Sequence, residues 1–202
     1  MLTQISDAFH ALEQASDKCL PLNNRRELLF LFGNYDEEID ISSFTSSKKY
    51  RATLALKCFY KILPLWNIAF PDFDPFSEIL SLLQDYLCNG DGYESLNEKS
   101  DEFFECLEEE TSKPELYLLA QVGYTLVDAV NCALSDEEIL SSVFDNATDN
   151  DVDSFSWDAA YRACLVYESA FGNDEETILY YRNRFWIWYI EEVDKLYAEY
   201  FL

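Results

Sequence analysis

"RFWIWYIEEVDKLY", residues 184–197, sets two tryptophans, a phenylalanine and a tyrosine in five consecutive positions and follows them with charge. Read as a helix, Phe185, Trp186, Tyr189, Ile190, Val193, Leu196 and Tyr197 fall on one broad apolar face at three-to-four spacing. Residues 185–190 are apolar all round, so that turn calls for neighbouring helices on every side. A membrane foot would flank such aromatics with Lys or Arg, whereas Glu191, Glu192 and Asp194 follow them here. A cofactor box would need polar anchors that the stretch lacks. The reading is core packing, with Trp186 and Tyr189 inside. On the far side, Arg184 and Trp188 are spaced for a guanidinium to stack on an indole, and Glu191 for an ion pair with Lys195.

The remainder of the chain carries the same helical period. A first amphipathic helix is expected over about 3–18 and a shorter one after Asn23-Asn24, ending at Gly33. A long third helix begins near "SSFTSSKK", with Pro64 expected to end or kink it at Leu63. Ser77 is positioned to cap "SEILSLLQDYL", and "NGDG" (89–92) to stop it. An acidic helix over about 94–110 comes next, then one entered at Pro114. "SDEEILSSVF" reads as a short capped helix, "DNATDNDVDS" as a loop, and "SWDAAYRACLVYESAFG" as a helix stopped by Gly172. A last helix runs from about Asp174 to the end. Alternating strand patterns and internal repeats are lacking. The expected architecture is all-α: a single compact domain over 1–202, of about eight or nine helices, without a substantial sheet.

Composition excludes several functional classes. The chain of 202 residues is 49% hydrophobic and 16% aromatic, which is too apolar for disorder and enough to bury a sizeable core. The uncharged run "LYLLAQVGYTLV" (116–127) has the length of a core helix rather than a bilayer span. The start lacks a basic, then apolar, leader pattern, and the six cysteines form no C-x-x-C pair. A reduced, cytoplasmic protein is expected. Net charge is −25, and it is unevenly placed. Residues 1–70 hold eight acidic and eight basic side chains, while residues 71–202 hold thirty-one and six. Nucleic acid and anionic membrane both demand basic footprints and are excluded as partners. Solubility and a basic protein partner steered by the field both remain open as reasons for the acid. Lys57 and Lys61, or Arg51, are expected to meet carboxylates from 71–202 and so tie the neutral third to the rest.

Chemistry-bearing patterns are few. His10 stands alone on the first helix, without a nucleophile motif, and no glycine-rich phosphate loop occurs. Asp149, Asp151 and Asp153 occupy the first three ligand positions of a calcium loop, but Ser154 stands where that loop needs Gly and Ala160 where it needs Glu. No cofactor and no metal is expected. In "SDEFFECLEEE", Glu102, Glu105 and Glu109 share one helical stripe, with Glu108 beside it. Four residues of helix rise roughly 6 Å, close to the step between phosphates along a nucleic-acid strand. An exposed row does not separate two carboxyl pKa values as acid–base catalysis requires. The candidate partner-binding acids are therefore Glu102, Glu105, Glu108 and Glu109, with Asp136, Glu137 and Glu138 or Asp149, Asp151 and Asp153 as competing patches.

One further pattern sharpens this. In "YRATLALKCFYKILPLWNIAFPDFDPFSEIL" (50–80), Arg51, Leu54, Ala55 and Cys58 form one piece, Leu63, Pro64 and Trp66 a second, and Pro71, Asp74 and Pro75 a third. Trp157 heads an Ala-rich helix, and "RNRFWIWY" (182–189) supplies Trp186 and Trp188. Together they resemble the fifth numbered all-α family of immunity proteins from bacterial polymorphic toxin systems, most strongly over residues 50–190. Residues 1–45 carry no matching motif. The resemblance implies a non-enzymatic inhibitor that binds a cognate toxin, commonly a nuclease, in the producing cell's cytoplasm. It also implies that Arg51, Pro64, Trp66, Trp157, Trp186 and Trp188 build the scaffold. The rival reading is an acidic helical adaptor or regulatory module without a toxin partner.

Overall fold

The structure is a computed structural model that describes residues 2–35, 43–111, 116–154 and 156–202, excluding the side chains of 110 and 111. It is built of α-helices and short 3-10 turns, and no strand occurs among the described residues. The helices are α1 (Thr3–Gln14), α2 (Leu22–Phe30), α3 (Ser46–Ala69), α4 (Ser77–Asn89), α5 (Tyr93–Thr111), α6 (Tyr117–Ser135), α7 (Ala159–Phe171) and α8 (Glu175–Phe201). At the centre α3 lies against α6, α7 and α8, and α6 in turn contacts α5 and α7. The α1–α2 pair closes one side, with α1 resting on α8, and the α4–α5 hairpin closes another. One continuous apolar cluster runs from Ile5 of α1 to Leu196 of α8.

The opening stretch behaves as its pattern requires. Trp186 is 0% exposed and Tyr189 2%, and Phe185, Ile190, Val193 and Leu196 are buried beside them. Its charged side chains choose other partners than expected. Arg184 lies over Tyr180 rather than Trp188, and Lys61 of α3 covers the Trp188 ring at 4.9 Å. Lys195 bonds Glu192 at 2.8 Å rather than Glu191. For Lys195 the reason is that Glu192 faces inward enough to meet Lys57 as well, at 2.8 Å, so the inter-helix ion pair sets the local one.

α6 is the most buried helix. By length and hydropathy alone its 19 residues would suffice to cross a membrane, longer than the uncharged run suggests, yet two thirds of that window is covered by protein. Gly123 lets α5 approach it closely, since a Cβ there would sit 2.6 Å from the Leu107 side chain. Gly90, at φ 76, ends α4 in the left-handed conformation that its sequence promises.

Four local expectations are corrected. α3 passes through Pro64 without ending. Pro64 sits on the exposed side of the helix, where the carbonyl released by its missing N–H can bond water. α1 stops at Gln14, and Lys18 adopts φ 55 in the turn that follows. "SDEEILSSVF" forms two 3-10 turns, Glu138–Leu140 and Ser142–Phe144, instead of a helix. Arg26 of α2 explains this, because its guanidinium donates to the carbonyls of Ser141 and Phe144 and to Asp145. A tertiary donor has displaced the helix's own amides. Ser77 begins α4 without capping it; the Asp74 carboxylate instead accepts from the Phe76 amide at 2.9 Å. The expected start at Pro114 lies outside the described residues.

Candidate protein-interaction surface

The acidic residues divide by what the arginines do with them. Arg25 is 1% exposed and donates to Asp158 and Asp149, both at 2.8 Å, and to the Leu20 carbonyl. Its guanidinium lies 5.0 Å from the Tyr161 ring and 5.5 Å from Trp186. Arg51, 0% exposed, holds Asp136 at 2.5 Å and bonds the carbonyls of Leu29 and Gly33. Arg162 binds Asp128 at 2.7 Å, Gln121 and the Ser154 carbonyl, with Trp157 and Tyr124 packed on it. Arg182 grips both oxygens of Glu168. Arg25, Arg26 and Arg51 thus pin Asp136, Asp145, Asp149 and Asp158 onto α2 and α3, Arg162 ties α7 to α6, and Arg182 of α8 holds Glu168 near the end of α7.

Two of the three candidate patches therefore lose members. Asp136 is committed to Arg51 and Asp149 to Arg25. Glu137 is 8% exposed; burial, with Asp158, Asp128 and Asp136 nearby, pushes its carboxyl well above the usual carboxylate range. Asp151 and Asp153 are exposed, but Asp151 closes a capping box on Thr148 and Asp153 accepts from the Ser156 amide. Their carboxylates shape the turn. Glu138 is exposed and accepts from the Ser156 hydroxyl. Acids that are near neighbours in the sequence are thus not all surface acids: Glu137 is buried, and Asp136 and Asp149 are turned to buried arginines.

The α5 row stands differently. Glu102, Glu105, Glu108 and Glu109 are all exposed, along with Glu94, Glu98 and Asp101 on the same helix. Lys99 lies between Glu102 (3.3 Å) and Glu78 of α4 (2.9 Å), an exposed arrangement worth little in stability. Glu105 has no ion-pair partner among the described residues. Along one edge of this row runs an apolar groove of about 270 Å³, lined by Trp66, Phe70, Phe73, Phe103, Cys106 and Leu119 among others. The sequence reading missed it. The alternation of aromatics with acid and proline in "AFPDFDPF" (69–76) is the signal that could have shown it, since such a turn cannot bury every ring.

The signature residues differ in burial. The Trp66 indole donates to the Phe73 carbonyl at 3.0 Å, fixing the turn that follows α3. Arg51 and Trp186 are buried, Trp157 and Trp188 half-buried, and Pro64 exposed. A second, polar cavity of about 190 Å³ is lined by Tyr117, Gln121, Tyr124, Asp128, Ser154 and Arg162 among others. Burial raises the Asp128 carboxyl to about 7, against the pull of Arg162. Its one carboxylate and one guanidinium are bonded to each other, which leaves no separated acid and base. Among the described residues, no group of three or more His, Cys, Asp or Glu is placed to hold a metal.

A comparison with curated proteins finds no match. A family model described as immunity protein Imm5 matches residues 5–195, which takes in the N-terminal helices α1 and α2 as well as the motifs over 50–190. The chain belongs to the Imm5 family of immunity proteins, a family whose role is generally non-enzymatic and whose partner is a toxin.

Proposed function

We propose that this protein neutralises a basic toxin domain, a nuclease, by laying the acidic face of α5 over the surface with which the toxin holds phosphates. The observation that carries this is the exposed carboxylate row of α5, in a chain whose net charge is −25. The inward arginines strengthen the reading, because cations that neutralise buried carboxylates do nothing to offset the surface field. That field steers a cationic partner as it approaches and speeds encounter. The exposed charges are screened beyond about 8 Å at physiological ionic strength, so the effect acts near contact. Inhibition occurs in the cytoplasm of the cell that makes the toxin.

The test uses the cognate toxin domain, to be sought first in the genes beside this chain's own. Its association rate with the immunity protein is expected to fall steeply with added salt while dissociation changes little. Double-stranded DNA or RNA is expected to compete with the immunity protein for the toxin. Tight binding that nucleic acid does not disturb would show that the phosphate-holding surface is not the one covered.

A further inference from the structure

The apolar groove beside α5 and the acidic row belong to one surface. Helix geometry places Glu102, Cys106 and Glu109 on a single stripe, since each step is three or four residues. Cys106 lines the groove, so Glu102 and Glu109 flank its lip, and Glu105 stands one step further out. The opposite bank is the turn after α3, where Phe70, Phe73 and Pro75 line the groove and Asp72 and Asp74 are exposed between them. Leu116, Leu119 and Ala120 at the start of α6 complete the lining. Phe73, on the bank after α3, is 59% exposed, a large ring left open to a partner. An apolar centre with acid on both banks has the anatomy of an interface core and rim. At about 270 Å³ the groove is smaller than the ~300–1,000 Å³ usual for small-molecule sites.

We infer that this groove is the anchoring pocket of the toxin interface, and that its occupant is one large apolar side chain of the toxin flanked by Lys or Arg. The inference rests on the toxin-binding reading above and adds the place and the chemistry of the contact. Apolar burial in the groove slows dissociation, while the acids on both banks reject a partner segment that lacks cations. A purely electrostatic face would hold any basic protein. The anchor makes the choice specific.

Two exposed thiols make this measurable without altering the chain. Cys106 lines the groove, and Cys88 is exposed near the end of α4 and does not line it. The intact protein, alone and saturated with the cognate toxin domain, is alkylated with iodoacetamide and each cysteine is followed by peptide mass. The expected result is at least a ten-fold slowing at Cys106 in the complex, with Cys88 unchanged. Cys106 reacting at its free rate in a formed complex would overturn the groove and leave toxin binding standing. Failure to form any complex would defeat both. As a second arm, Cys106→Arg places a cation on the lip. Its dissociation from the toxin should be at least ten-fold faster with helical content unchanged, and an unchanged dissociation rate would count against the anchor.

Discussion

The segment 136–158 and helix α5 look alike in the sequence, both dense in Asp and Glu, and the structure gives them opposite duties. In the first, Asp136, Asp149 and Asp158 are held by buried arginines from α2 and α3, and their charge is consumed in fixing a non-helical stretch to the core. In the second, the carboxylates line an exposed helix face, with Lys99 reaching Glu102 and Glu78. Acidic density by itself therefore says nothing about function. What separates the two is where the cations are: Arg25, Arg26 and Arg51 all lie in the neutral first third of the chain and point inward.

The contrast breaks most visibly at its buried ion pairs. Asp136→Ala leaves Arg51 charged in a site of 0% exposure, and removing one partner of a buried pair costs roughly 3–5 kcal/mol. Urea unfolding should show that loss, and a variant near wild-type stability would place Asp136 among the free surface acids. Trp186→Ala should cost a similar ~3–5 kcal/mol, because it empties a site enclosed on all sides and removes the ring beside Arg25. Should its unfolding midpoint hold while toxin binding disappears, the aromatic stretch is a contact surface and not core. Asp149→Ala is milder, about 1–2 kcal/mol, since Arg25 keeps Asp158. A loss equal to that of Asp136→Ala would mean the two pairs are equally buried.

Glu137 sharpens the same division through pH. Its folded carboxyl titrates well above 4.5, the ordinary value it regains on unfolding. Between the two the unfolded chain binds fewer protons, so this group makes stability fall as pH rises through that window. Glu137→Gln should remove that component and unfold less readily at neutral pH than wild type, with the gap closing in acid below 4.5. An unchanged pH profile of unfolding would place Glu137 in water.

Much of the fold was legible because it rests on period and capping. The α8 face, the stop of α4 at Gly90 and the start of α8 near Asp174 all follow from residue type and local spacing. The meeting of Arg51 and Lys57 with carboxylates beyond residue 70 also followed, from charge balance alone. Lys61 did not follow it and lies over the Tyr167 and Trp188 rings, a choice that only the packed helices define. The two 3-10 turns at 138–144 were illegible for the same reason: Arg26 lies more than a hundred residues away from the carbonyls it satisfies. The groove was only partly legible, because its lining comes from α3, the turn after it, α5 and α6, and "AFPDFDPF" shows one bank alone.

The most direct measurement sets the two acidic regions against each other. One variant reverses Glu102, Glu105 and Glu109 to Lys; the other reverses Glu138, Asp151 and Asp153. Each is assayed for urea unfolding and for its association rate with the toxin domain. The α5 variant should stay within about ±0.5 kcal/mol of wild type, as exposed substitutions do, and associate at least ten-fold more slowly. The second should lose stability through its turn contacts while associating within about two-fold of wild type, since its charges lie off the contact face. Equal association rates for the α5 variant and the wild type, at unchanged stability, would contradict the account.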